Sequence, residues 1–210
     1  MSHVRGVYLL GLRGTGKTTL GEMLAGSLGF SFLDSDRLLM RQCGKPAGEI
    51  LRELGETRFR GEESRLLDGL MPELVRGERV LALGGGSPEA PGVEHKLAEL
   101  RTDHSWLGVW VELEPEELVR RLGEHAAVGR PRLVGRSLEE ENRLLLARRA
   151  SLYARLADIR FRNAPGGAEE RAEELLELLN DRWEGVPEPA DLQAEGEDPP
   201  ADPSAFPGNK

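Results

Sequence analysis

Two hydrophobic patterns share this chain. Short continuous apolar runs predict buried strands at Val7–Leu10, Phe30–Leu33, Arg79–Leu83, Leu107–Leu113 and Ile159–Phe161. Between them, apolar residues recur every three or four positions and predict helices. Thr19 to Leu28 places Leu20, Met23, Leu24 and Leu28 on one face. Two short helices follow Asp36; the second opens at Pro46, turns Ile50, Leu51 and Leu54 inward and stops at Gly55. The segment Glu56 to Glu63 leads into a helix with Leu66, Leu67, Leu70 and Leu74 on its apolar side. Pro115 opens a helix holding Leu118, Val119 and Leu122. Ser137 and Glu140 form a capping box that starts another, through Leu144, Leu145, Ala147, Leu152 and Leu156. After Gly166-Gly167, Leu175, Leu176, Leu178 and Leu179 mark a last helix ending near Trp183. No element is assigned between Gly86 and Leu107.

The periodicity fails in two places. Residues 123–136 hold glycines at 123, 129 and 135 and arginines at 130, 132 and 136, with few apolar anchors. A long insertion of this kind inside a compact domain is usually either a functional lid or disordered. From Glu184 to Lys210 the chain carries six of its thirteen prolines with acids and small residues. Such a segment buries too little apolar surface to offset its ordering entropy, so it reads as a disordered acidic tail beyond a single domain at residues 1–183. Ending the chain near Trp183 is expected to leave activity and melting temperature nearly unchanged; a drop of many degrees on truncation would show that the tail docks on the domain.

Charge sharpens this division. The formal net charge is −9 over 210 residues. Seven acids from Glu184 onward face Lys210 alone, so the tail supplies −6 and residues 1–183 about −3. The folded part has no basic stripe of the kind that tracks nucleic acid. No stretch is long and apolar enough to span a bilayer, and the first strand begins too soon after Met1 for a signal peptide. The single cysteine, Cys43, excludes an internal disulfide framework and suits a reducing compartment. The chain is therefore expected to be cytoplasmic and without nucleic-acid or membrane partners; it is also expected to be a monomer.

Chemistry concentrates at the strand ends. Gly11-Leu12-Arg13-Gly14-Thr15-Gly16-Lys17-Thr18-Thr19 fits G-x-x-x-x-G-K-[ST] between a strand and a helix. Its glycines let backbone N–H groups turn inward on an anion, and the helix start adds partial positive charge. Lys17 reaches outer phosphates, and the Thr18 hydroxyl suits Mg²⁺. Asp34-Ser35-Asp36 ends the second strand; in open parallel sheets that edge binds ligands. The same residues would also serve as a helix cap. Arg60 and Glu63 stand one helical turn apart, close enough to pair, although spacing alone favours a solvated charged face. Gly84-Gly85-Gly86 ends the third strand, where either a close backbone approach to a ligand or a flexible turn explains three glycines together.

Together these landmarks, with Phe59 before Arg60, Arg130-Pro131 in the lid-like segment and Ala147-Arg148-Arg149-Ala150-Ser151-Leu152-Tyr153, resemble shikimate kinases, small P-loop kinases of aromatic amino-acid synthesis. The resemblance covers roughly residues 5–180. It implies an α/β fold of three layers, with a five-stranded parallel sheet in the order 2-3-1-4-5, helices on both faces and a mobile lid. It also implies ATP-dependent phosphorylation of a shikimate hydroxyl with Mg²⁺. ATP would be held by Gly14, Thr15, Gly16, Lys17, Thr18, Thr19 and Arg130. The metal would be held by Thr18 and, through water, by Asp34. Shikimate would meet Asp36, Arg60, Gly84, Gly85, Gly86 and Arg149, and Lys17, Asp36 and Arg130 would act in catalysis. The chain departs from the family at Arg132, where an apolar residue is usual, at Ser87–Gly92, and in its tail.

Two other readings compete. A related metabolite kinase such as gluconate kinase would share loop and lid but would not call for two arginines converging on a carboxylate beside a ring-packing glycine triad. A non-catalytic nucleotide-binding regulatory module would need only some of these residues.

Overall fold

The computed structural model describes residues 5–76, 78–124, 134–135, 137–164 and 166–182. The predicted tail and most of the predicted lid, including Arg130, Arg132 and Arg136, lie outside the described residues. Five strands form one parallel sheet: β1 (Gly6–Leu10), β2 (Ser31–Asp34), β3 (Arg79–Ala82), β4 (Trp106–Glu112) and β5 (Ile159–Arg162). Their order is β2-β3-β1-β4-β5. β1 lies at the centre, pairing Gly6 with Arg79 of β3 on one side and with Trp106 of β4 on the other. All five of its residues are buried, as expected for a parallel strand covered on both faces.

The alternation of side chains along β1 divides the core. Val7 and Leu9 point to the side closed by α1 (Lys17–Leu28) and α7 (Ala168–Arg182), packing with Leu20, Leu24, Leu175 and Leu179. Tyr8 and Leu10 point to the other side. There α3 (Ala47–Arg76), α4 (Val93–Asp103), α5 (Pro115–Glu124) and α6 (Leu138–Leu156) contribute Leu67, Leu74, Leu97, Leu118 and Leu145. A smaller cluster of Leu39, Ile50, Leu51 and Phe59 joins α2 (Ser35–Cys43) to the N-terminal half of α3. Among the described residues no helix is long and apolar enough to cross a membrane.

The strands fall within a residue or two of the predicted spans. Three differences are informative. The Gly55 backbone is non-helical, at φ 73° and ψ 166°, so the break is real, but the chain re-enters the helix at once. Glu56 to Glu63 is therefore helical, not a lead-in. Its inward positions Arg60 and Glu63 continue into the apolar stripe of Leu67, Leu70 and Leu74, so this pair is buried rather than solvated. Spacing shows that two charges share a face but not which way the face points. Helix α4 was not predicted, although Val93, Leu97 and Leu100 are fully buried at helical spacing. Pro88, Pro91 and Gly92 immediately before it obscured the start.

Candidate active site

β1, β2 and β3 release their chains at the same edge of the sheet, and each delivers one part of the site. After β1 the phosphate loop curls into α1, whose N-cap Gly16 sits at φ 94°. A Cβ there would approach Asn163 Nδ2 to 2.5 Å, so glycine answers both the backbone angle and the space. The loop is held from within. Thr15 Oγ1 donates to Leu12 O at 2.9 Å, and Lys17 Nζ donates to Gly11 O at 2.9 Å and to Leu12 O at 2.7 Å. From outside, Asn163 just beyond β5 donates its amide to Thr15 O at 2.7 Å. Thr18 and Thr19 face a cleft of about 340 Å³ together with Gly14, Gly16, Lys17, Asp34 and Asp36. Arg121 and Leu122 of α5 complete its wall.

After β2, the two readings of Asp34 turn out to be compatible. Its Oδ1 accepts from the Arg37 N–H as the N-cap of α2, while its Oδ2 accepts from the Thr18 hydroxyl at 2.7 Å. One carboxylate thus fixes the helix start and ties it to the phosphate loop. Ser35 between the two acids accepts from the Gly84 N–H at 2.9 Å, linking β2 to the glycine turn.

After β3, the three glycines are required by protein atoms. A Cβ on Gly84 would lie 2.5 Å from Asp36 Oδ1 and 2.7 Å from Ser87 Oγ. One on Gly85 would press on the phosphate-loop backbone at Arg13 N, 3.0 Å away, and one on Gly86 would overlap the Arg60 guanidinium. The turn is thus a packed joint between loop, Asp36 and Arg60 rather than a flexible connection. Tyr153 of α6, fully buried, holds it by donating its hydroxyl to Gly85 O. Burial, opposed mainly by the charge of Arg149, pushes that phenol up to about 12.

Arg60 and Arg149 stand 89 positions apart in sequence and come together behind this turn, 7% and 3% exposed. Arg60 Nη1 donates to Glu63 Oε2, and Glu63 Oε1 accepts from the Ser87 hydroxyl at 2.7 Å. Burial raises the Glu63 carboxyl above the usual carboxylate range, against the opposing pull of Arg60 and Ser87. Arg149 Nε donates to Glu89 Oε2 at 2.8 Å, and Arg60 Nη2 lies 3.8 Å from the same oxygen. Arg148 Nε is 2.6 Å from Glu89 Oε1. Arg149 Nη2 lies 2.8 Å from Glu89 Oε2, while Arg60 Nε is buried without a hydrogen-bond partner among the described residues.

All the predicted site residues within the described set thus gather at one sheet edge; Arg130 lies outside that set. Residues not singled out from sequence are Ser87, Glu89, Arg121, Arg148 and Asn163. Arg148 stood inside a recognised motif, and the others carried no local pattern.

The comparisons agree with this arrangement. The family model described as shikimate kinase matches residues 13–180. A shikimate kinase from Mycobacterium avium is 40% identical over 161 residues, covering 75% of this chain and 85% of the relative. One from Mycobacterium tuberculosis is 38% identical with the same coverage. Among solved structures, shikimate kinase from Acinetobacter baumannii in complex with shikimate superposes with a TM-score of 0.76 at 30% identity, covering 87% of this chain and 96% of that one. The Aquifex aeolicus enzyme superposes at 0.66 and 26% identity, covering 84% and 97%. Motifs, sheet order and relatives thus converge, and this chain belongs to the shikimate kinase family.

Proposed function

We propose the following division of labour for the family's reaction, ATP-dependent transfer of a phosphoryl group to a hydroxyl of shikimate, giving shikimate 3-phosphate and ADP. The phosphate-loop backbone and Lys17 hold the phosphates of ATP, with Thr19 at the cleft and Arg121 on its wall. Thr18 and Asp34, already hydrogen-bonded to each other, are the groups suited to a hydrated Mg²⁺. Bound Mg²⁺·ATP supplies the phosphoryl group and part of the charge neutralisation. Asp36, lining the same cleft against Gly84, orients the acceptor hydroxyl and accepts its proton. Arg60 and Arg149 clamp the acceptor's carboxylate, a task that suits the planar fork of arginine. Gly84 to Gly86, packed on Asp36, the phosphate loop and Arg60, set the spacing of these groups around the ring.

The observation that carries this reading is the meeting of two buried arginines from α3 and α6 at the glycine turn that also packs on Asp36. Phosphate-transfer assays with shikimate and gluconate test it: transfer to shikimate alone is expected. Equal transfer to gluconate would remove any need for a carboxylate clamp shaped for a ring. The comparisons do not favour the gluconate-kinase or regulatory-module readings. A cytoplasmic monomer with the acidic tail outside the kinase domain completes the proposal.

The lid arginine is assigned from sequence. Arg130→Ala is expected to lower kcat more than it weakens shikimate binding, because such an arginine acts on charge that develops during transfer. Loss of such a finger reaches roughly 10³-fold or more in the strongest cases. Steady-state kinetics beside calorimetry checks this, and an unchanged kcat would hand the role to Arg132 or Arg136.

A further inference from the structure

The carboxylate at the meeting point of the arginines belongs to the protein itself. Glu89 ends the short turn Ser87–Glu89 that follows the glycines, and its side chain is only 12% exposed. Its Oε2 is held by Arg149 and lies within ion-pair reach of Arg60, while its Oε1 is held by Arg148. Arg60, Arg148 and Arg149 here face Glu56, Glu63 and Glu89, with Glu56 Oε1 3.7 Å from both Arg60 Nη2 and Arg148 Nη2. Three cations against three anions make the cluster formally neutral. An incoming carboxylate is therefore not drawn in by excess positive charge; it has to replace an anion already present.

We propose that Glu89 is an internal stand-in for the substrate carboxylate, which keeps Arg60 and Arg149 convergent before the acceptor binds and then yields to it. The inference rests on reading that pair as the carboxylate clamp. Three features support the exchange. Leaving the buried Arg149 guanidinium without a carboxylate would be costly, so a resident anion is useful before the acceptor arrives. The buried Arg60 Nε, without a hydrogen-bond partner among the described residues, shows that Glu89 does not saturate the Arg60 fork. And Arg148, half exposed at 51%, already grips the other Glu89 oxygen. It offers a partner toward solvent when Arg149 releases Glu89. Acceptor affinity is then set by a difference between two carboxylates, and an anion with a single contact would displace Glu89 poorly.

The test is calorimetric titration of the full chain with shikimate and with its carboxamide analogue, using Glu89→Gln, Arg148→Gln and the double variant. Glu89→Gln is expected to tighten shikimate binding about tenfold, because the competing charge is gone while the side-chain shape is kept. Arg148→Gln should weaken it several-fold, since Glu89 loses its alternative partner, and this loss should vanish in the Glu89→Gln background. The carboxamide should respond to neither substitution. Unchanged or weaker shikimate binding in Glu89→Gln would overturn the proposal and make Glu89 a fixed support. So would an Arg148 effect that persists without Glu89, since Arg148 would then touch the acceptor directly. If Glu89→Gln folds poorly, the exposed Arg148→Gln variant still decides, because unchanged affinity there also rejects the exchange. Failure of the clamp itself is read separately: Arg60→Ala and Arg149→Ala would then bind shikimate as the wild type does.

Discussion

Replacing Lys17 with alanine is expected to leave a folded protein that transfers almost no phosphate. The side chain is buried at the start of α1, but it belongs to neither main core cluster, and its ammonium is spent on Gly11 O and Leu12 O. Those bonds order the loop rather than the sheet. Hydrogen bonds to charged groups contribute about 1.5–3 kcal/mol each, so a modest fall in melting temperature is expected while the helical and sheet signatures remain. Turnover should suffer far more. Losing one preorganised group aimed at developing charge costs about 10²–10³-fold, and Lys17 is the one lysine of the phosphate loop. Circular dichroism and single-turnover phosphate transfer measure the two effects separately. Turnover within a few-fold of wild type would contradict the assignment of this loop.

Arg60→Ala and Arg149→Ala are expected to weaken shikimate binding strongly and ATP binding hardly at all. Removing either arginine leaves a desolvated carboxylate half neutralised, and it leaves Glu89 near the remaining guanidinium as well. Truncating one partner of such a pair costs about 2–5 kcal/mol. At roughly 1.4 kcal/mol per decade, that is about 30-fold to several-thousand-fold in affinity. The phosphate loop lies across the glycine turn and keeps its own contacts, so ATP affinity should stay near that of the wild type. The two losses should not add, because both residues serve one group. Calorimetry on both single variants and the double variant, with shikimate and with its carboxamide, checks each clause. The carboxamide should be nearly indifferent to both substitutions. Equal losses for the two ligands would show that the arginines support the fold rather than the acceptor.

What was legible beforehand follows a physical line. The phosphate loop could be read because its chemistry is local: glycines, lysine and threonine act within one turn. Asp34-Ser35-Asp36 was legible for the same reason, although only in the fold does Asp34 cap α2 and hold Thr18 at once. Strand positions followed from continuous apolar runs, whereas the sheet order came from family resemblance. What sequence did not disclose depends on which surfaces meet. Arg60 and Glu63 looked solvated until the path of α3 turned them inward. Glu89 carries no signal, because its partners lie about sixty positions away on α6. The glycine triad suggested room for a ligand, but the nearest atoms to its missing Cβ positions belong to Asp36, Arg13 and Arg60. Asn163 likewise matters only because β5 ends beside the phosphate loop.

The most direct test of the account is ADP formation by the purified full chain in Mg²⁺ and ATP, with shikimate absent and then present. A site that aligns an acceptor hydroxyl with ATP and excludes water should release ADP slowly alone and rapidly with shikimate, one ADP for each shikimate phosphorylated. ADP formation at the same rate with and without shikimate would contradict it.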